Sequence, residues 1–282
     1  MTQKNVTIGF PLHTATLSGG DWSTARPLDR ALSPVLSDPA RSTGLATPDT
    51  QFVATFDSTL PTGCVALCDH NLSLQAQVRV ELLNSADEVL ADSGWKDAWP
   101  EVYGAYSLAW GDPSYMSLRP DARELEQEIG TFVHLFDQNR LASKVRVSID
   151  DTANPDGFVD LGFVAFATAN ELTVNPQYGA TEGFEARSKR QTSAGGVDTY
   201  ERRNKPRIFQ AEAFMPRTER RSLIDRMQRE LDLDGVFIFI QEPSEPLFKP
   251  LTQWAARLAE LTPSQRAMPD HDRVPIRFKQ VL

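Results

Sequence analysis

The sequence lacks several features that would indicate a function directly, beginning with an excess of basic residues. Its 282 residues include 29 Lys and Arg against 38 Asp and Glu, a net charge of −9, so a nucleic-acid backbone is not the expected partner. No apolar run approaches the roughly 20 residues that span a bilayer, so we expect no membrane insertion. Residues 1–5 lead into no apolar segment, so we expect no signal peptide and synthesis in a cytoplasm.

Cysteine is almost absent as well. In an extended strand, which rises roughly 3.3 Å per residue, the Cα atoms of Cys64 and Cys68 would lie about 13 Å apart, too far for a disulfide. No second pair of Cys or His residues with metal-ligand spacing follows them. The pattern predicts two small apolar residues in a buried strand and no metal site.

The motifs of catalysis and cofactor binding are also missing. The chain has no phosphate-binding loop, no dinucleotide-binding glycine pattern, no Gly-x-Ser-x-Gly and no His-Glu-x-x-His. We therefore predict that it is not an enzyme and binds no cofactor. A hydrolase built on two carboxylates from distant strands is the open alternative. Dense carboxylates occur in one run that resembles an exposed helix start, namely Glu124, Glu126 and Glu128.

Short segments with alternating polarity dominate the first part of the chain. Val78–Leu82 and Val145–Ile149 alternate cleanly, and residues 132–136 could be buried on both faces. Turn formers fill residues 150–157, which depart from the calcium-loop pattern and predict a plain connection. Together these features predict a mainly β protein with a β-sandwich over residues 1–168.

The character of the sequence changes after residue 168, and a chain of 282 residues exceeds one average domain. We expect residues 169–282 to form an α+β domain. Its apolar residues recur at helical spacing within residues 218–231 and follow one another without interruption in residues 236–240. The predicted elements are a long hairpin (183–203), a strand (209–214), a helix (218–231), a central strand (236–240), a short helix (254–261) and a terminal strand (274–282).

The predicted hairpin concentrates positive charge on an acidic chain. Asp198 and Glu201 are its acidic residues between positions 187 and 207. A solvated hairpin explains this composition, and so does an arm that docks on an acidic face of a neighbouring subunit. The candidate residues of such an arm are Arg187, Lys189, Arg190, Arg202 and Arg203.

Aromatic residues are concentrated in residues 95–115, whose spacing is neither helical nor alternating. This segment is predicted to be a long loop. Exposed aromatic rings on such a loop can stack on sugars or fill a protein interface, and packing against the end of the sandwich is the third alternative. The candidates for contact with a glycan or a subunit are Trp95, Trp99, Tyr103 and Trp110.

Several segments, taken in order, resemble minor tail proteins of long-tailed bacteriophages. They cover most of the chain, and each motif alone is mainly a turn or a strand end. The segments are Arg26–Leu32, His70-Asn71-Leu72, Leu108–Gly111, Val145–Phe158 with Asp160-Leu161-Gly162, Asn175–Gly179, Ser193–Gly196 and Lys205–Arg207.

The resemblance implies a fold and a location. The first part would be a jelly roll similar to discoidin and galectin domains, and the second would be similar to the unit of tail tubes and distal tail rings. The chain would be a structural part of the tail tip, assembled in the host cytoplasm and found in the virion. Its partners would be copies of itself in a ring and other tail proteins.

Two further hypotheses stay open beside this one. The chain could be a receptor-proximal module that binds a host surface glycan through the aromatic loop. It could also be a hydrolase acting on the cell envelope, for which the resemblance supplies no catalytic residue.

Overall fold

A computed structural model describes residues 4–104, 107–112, 114–121, 129–176, 179–193, 195–201, 203–245, 247 and 249–282. The chain divides into two compact units. Unit 1 consists of Met1–Leu172 and Phe237–Ala255, and unit 2 of Thr173–Val236 and Ala256–Leu282. The fold is mainly β, as the sequence predicted.

Seventeen strands account for most of the regular structure in the described residues. They are β1 (Thr7–Leu12), β2 (Ala15–Ser18), β3 (Ala40–Arg41), β4 (Phe52–His70), β5 (Gln77–Leu83), β6 (Val89–Asp92), β7 (Lys96–Asp97), β8 (Thr131–Asp150), β9 (Asp160–Glu171), β10 (Thr181–Phe184), β11 (Lys189–Thr192), β12 (Asp198–Glu201), β13 (Arg207–Pro216), β14 (Phe237–Ile240), β15 (Gln253–Leu258), β16 (Gln265–Arg266) and β17 (His271–Gln280).

The described residues contain one longer helix, α2, and three short helical segments. They are a 3₁₀ turn (Leu28–Leu32), α1 (Thr47–Thr50), α2 and α3 (Lys249–Thr252). Helix α2 comprises three consecutive parts, Arg217–Glu219, a π-helical turn at Arg220–Ile224 and Asp225–Leu231. In the described residues, no helix combines the length and the apolar character that crossing a membrane requires.

Unit 1 is a β-sandwich in which two long strands, β4 and β8, contribute to both layers. In one layer the start of β4 pairs with β2 and with the end of β8, which also pairs with β5. In the other layer the end of β4 pairs with β9 and with the start of β8. The register between β4 and β8 shifts between Thr55 and Leu60 and again between Thr62 and Cys64. Such irregularities bend strands, which lets one strand pass from layer to layer.

Side chains from both layers share one hydrophobic core. Phe52 and Val147 come from the first layer, and Leu67 and Phe166 from the second. All four side chains are nearly or completely buried. Val147 lies in the alternating segment Val145–Ile149, whose three apolar residues are all buried, as the alternation predicted.

The second layer has an unpaired edge, which is formed by the start of strand β8. Residues 131–135 of β8 pair with Cys64–Cys68 of β4 on one side. Among the described residues, no strand pairs with their other side. Alternate residues of a strand direct their backbone N–H and C=O groups to opposite sides, so some of these groups face outward from the layer.

Unit 2 is built on the antiparallel pair β13 and β17, whose register runs from Ile208↔Lys279 to Pro216↔His271. Burial alternates strictly along β13, and the rings of Phe209 and Phe278 stack 6.4 Å apart. Helix α2 packs on this pair, because Ile224 and Met227 line the same small cavity as residues 276 and 278 of β17. The predicted strands and helix of this region are therefore present, while the similarity to a tail-tube unit stays a prediction.

Two parts of the C-terminal region differ from the sequence-based prediction. The helix predicted at 254–261 is wrong, because residues 253–258 form strand β15 and Ala256 pairs with Gln280. The predicted domain boundary assigned everything after residue 168 to the second domain, whereas Phe237–Ala255 belongs to unit 1. The reason is that β14 pairs with β1, with Thr7 opposite Ile240.

Candidate functional site

Two tryptophans of the aromatic loop face the solvent. The Trp110 side chain is 88% exposed, and its ring meets the Tyr115 ring edge-on at a centroid distance of 5.3 Å. Trp95 is 42% exposed. Large exposed rings of this kind can contact a sugar face or a protein partner. Tyr106 lies outside the described residues.

The other two predicted contact residues have different environments. Trp99 is only 3% exposed, and its Nε1 donates a hydrogen bond to the Leu72 carbonyl at 2.8 Å. Its assignment as a contact residue is therefore corrected, because the ring belongs to the core of unit 1 and packs edge-on against His70. Tyr103 is half-buried, and its backbone N–H donates to the Leu118 carbonyl.

The predicted basic arm forms a hairpin of β11 and β12, with Lys189 opposite Glu201 and Thr192 opposite Asp198. Part of its charge is neutralised internally. Arg190 pairs with Asp198 at 2.7 Å, and Arg203 pairs with Glu201 at 2.6 Å.

Two cations of this arm stay available for a partner. Arg187 and Lys189 are exposed and make no ion pair with another described residue. Arg202 lies outside the described residues.

A cleft of about 710 Å³ lies in unit 1 beside the unpaired edge of β8. Its cations come from three distant parts of the sequence, Lys4, Lys96 and Lys249. Its other lining residues are Asp97, Ala98, Pro100, residues 131–135, Asp137, Pro243, Ser244 and Gln253.

The charges of the cleft are unequally balanced. Lys4 pairs with Asp137 at 3.5 Å, and Asp97 pairs with Arg119 at 2.7 Å. The side-chain ammonium groups of Lys96 and Lys249 form no ion pair or hydrogen bond with the described residues. The cleft therefore holds uncompensated positive charge on a chain whose net charge is −9.

The positive charge of the cleft contributes to shifts in the pKa values of Lys249 and His134. Burial, followed by the repulsion of Lys96, lowers the pKa of Lys249 below its usual value. Burial also lowers the pKa of His134 to about 4, and the positive charges of Lys96 and Lys249 add to this effect. His134 is therefore neutral near pH 7, and a bound anion would stabilise the two lysines.

The other titratable groups that the sequence analysis considered are either buried in the protein interior or form hydrogen bonds within turns. Cys64 and Cys68 are buried and free, as predicted, and burial raises the pKa of Cys64 to about 12. The Asp151 carboxylate accepts hydrogen bonds from Ser73 and Asn154, which closes the turn that was predicted as a plain connection. No metal-binding group of three or more His, Cys, Asp and Glu residues occurs in the described part of the chain.

The sequence offered no signal for the lysine cleft. Residues 4, 96 and 249 lie in three separate segments, and each has an ordinary local sequence. They come together because β14 and the segment after it belong to unit 1. The acidic run Glu124, Glu126 and Glu128 lies outside the described residues.

Comparison with known proteins gives one kind of match. No protein-family model matches the chain, and no curated protein matches it. Solved structures match about half of the chain. One is the lectin domain of lectinolysin in complex with Lewis b antigen, with 15% identity, a TM-score of 0.37 and coverage of 55% of this chain and 92% of that chain.

Two other solved structures cover a similar share of the chain. CBM32-1 from a family 31 glycoside hydrolase of Clostridium perfringens is 11% identical, with a TM-score of 0.33 and coverage of 57% of this chain and 96% of that chain. A fucose binding module of Streptococcus pneumoniae is 10% identical, with a TM-score of 0.35 and coverage of 55% and 92%.

Proposed function

We propose that this chain is a non-catalytic protein that acts by binding and self-assembly, as a structural component of the tail tip of a long-tailed bacteriophage. In this proposal unit 2 joins copies into a ring. The location depends on the resemblance of the sequence, since none of the three solved structures named above is a phage protein. Self-assembly has a separate, structural basis in the hairpin.

The exposed hairpin is the observation that carries this proposal. In residues 189–193 and 195–201, every residue except Asp198 is exposed. The exposed side chains include two large apolar ones, Val197 at 64% and Tyr200 at 61%. A two-stranded hairpin on its own is marginally stable at best in water, so a partner surface is expected to stabilise it.

Charge favours a sister copy as that partner. Arg187 and Lys189 carry positive charge outside the internal ion pairs of the arm, whereas the chain as a whole has a net charge of −9. Complementary charge steers and orients association. A ring would repeat this contact with the same geometry at every interface.

Replacing Val197 and Tyr200 together by Glu is expected to dissociate the assembly. The two side chains would be buried at the contact, and losing hot-spot residues weakens association by about 30-fold or more. Sedimentation velocity of the full chain measures the effect. We expect an oligomer for the natural chain and a monomer for V197E/Y200E.

Leu141→Glu is the matched control, because Leu141 is an equally exposed apolar residue, at 66%, on strand β8 of unit 1. It should leave the oligomer intact. A natural chain that stays monomeric at micromolar concentration, or that is absent from virions, contradicts the proposal.

Glycan binding by unit 1 is the second candidate function. The observation that favours it is the exposed Trp110 ring, which meets the half-buried Tyr115 ring edge-on. An aromatic ring presents an apolar face that suits the C–H face of a sugar. Trp95 is the further exposed ring of this segment.

Trp110→Ala is expected to weaken binding to a bacterial surface polysaccharide by about tenfold or more, since stacking and apolar burial are both lost. Titration calorimetry with the full chain measures this. Met116→Ala is the control, because Met116 is 89% exposed in the same segment but carries no ring. Equal binding by both variants, or no binding at millimolar saccharide, would reject this function.

A further inference from the structure

The cleft beside the edge of β8 contains polar groups that have no partner in the described residues. Gln253 is only 6% exposed, lines the cleft, and its side-chain amide makes no hydrogen bond with a described residue. Lys96 and Lys249 line the same cleft, and their side-chain ammonium groups are also without a partner in the described residues.

These groups define the chemistry of a ligand. Two lysines provide donors and positive charge, which suits a carboxylate or a phosphate. The Gln253 amide can donate to one oxygen and accept from a hydroxyl group. The outward N–H and C=O groups of residues 131–135 offer further donors and acceptors along one wall.

The size and the walls of the cleft restrict the ligand further. Its volume of about 710 Å³ is within the range of pockets for small molecules. Pro100, Val133, Leu135 and Pro243 provide apolar contact surface. A ligand with hydroxyl groups, an apolar ring face and one anionic group would use all of these features.

We propose that this cleft is a binding site for an acidic saccharide, a sugar that carries a carboxylate or a phosphate. Lys96 and Lys249 hold the anionic group, and Gln253 bonds to the sugar. The site is separate in its residues from the Trp110 and Tyr115 pair. This proposal does not depend on self-assembly or on glycan binding at Trp110.

The test is titration calorimetry of the full chain with glucuronate, N-acetylneuraminate and glucose 6-phosphate, and with glucose as the neutral probe. At least one acidic sugar should bind, and glucose should bind about tenfold more weakly or not at all. Lys96→Gln and Lys249→Gln should each weaken the acidic sugar by about tenfold, because each removes a charge-assisted hydrogen bond.

Lys144→Gln is the control, since Lys144 lies on β8 but pairs with Asp87 at 2.7 Å outside the cleft. It should leave the affinity unchanged. The proposal is overturned if no acidic sugar binds at millimolar concentration or if the three lysine variants behave alike. Binding of inorganic phosphate or of an oligoglutamate peptide as tightly as the best acidic sugar also overturns it, because the cleft would then select anions or acidic peptides.

Discussion

Lowering the pH from about 6.5 to about 4 is expected to destabilise unit 1 by about 3 kcal/mol through His70 alone, because its pKa falls from 6.5 to about 4 on folding. The cause is burial, since His70 is 6% exposed. Its Nδ1 accepts from the Leu72 N–H, its ring packs against Trp99, and its Nε2 has no partner among the described residues.

The sign follows from proton binding in the two states. Between pH 4 and 6.5 the unfolded chain binds the proton of His70 more readily than the folded chain does. Stability is therefore complete above pH 6.5 and declines as the pH falls to about 4. His134, whose pKa is also lowered to about 4, adds to the loss in the same direction.

Urea denaturation followed by tryptophan fluorescence measures this loss in unit 1, because all five tryptophans lie there. His70→Gln should remove the contribution of His70 to the pH dependence, and His271→Gln in unit 2 should not. NMR titration of the imidazoles in the natural chain gives the same answer independently. A folded chain in which His70 titrates near 6.5 refutes the prediction.

Asp272→Asn is expected to destabilise unit 2 by about 3 kcal/mol, since breaking a buried ion pair leaves charge uncompensated. The Asp272 side chain is 2% exposed. Its Oδ2 lies 2.8 Å from Nε of Arg220, and its Oδ1 lies 3.4 Å from Nη2 of Arg217. The carboxylate thereby ties the start of β17 to helix α2.

Hydrogen exchange of the β13 and β17 amides measures this effect within unit 2. Glu212→Gln is the control, because Glu212 forms an exposed pair with Arg273 on the same two strands. Exposed pairs contribute about 1 kcal/mol or less. If D272N protects these amides as well as E212Q does, the buried pair is not a source of stability.

The sequence predicted the type of most elements where local pattern and tertiary environment agree. Over residues 209–213 of β13, burial alternates as the sequence alternates in polarity, and α2 has the predicted apolar spacing. Residues 254–261 are the counterexample. Ala, Leu, Arg and Glu favour helix, but Trp254 packs against Phe239 and Ala256 pairs with β17, so packing outweighs propensity.

The aromatic and lysine sites were less predictable than the strands, because each depends on which segments of the chain the fold brings together. Composition alone grouped Trp99 with Trp110, although one ring is 3% exposed and the other 88%. The lysine cleft joins residues 4, 96 and 249, and only tertiary structure brings them to one place. The basic hairpin was predictable because its charges lie close together in the sequence.

Hydrogen exchange of the hairpin amides, residues 189–192 and 198–201, tests self-assembly most directly. If sister copies cover the hairpin, these amides exchange slowly in concentrated solution and quickly after dilution below the dissociation constant. Rapid exchange at every concentration, including in intact particles, would mean that the hairpin has no partner and would contradict the account.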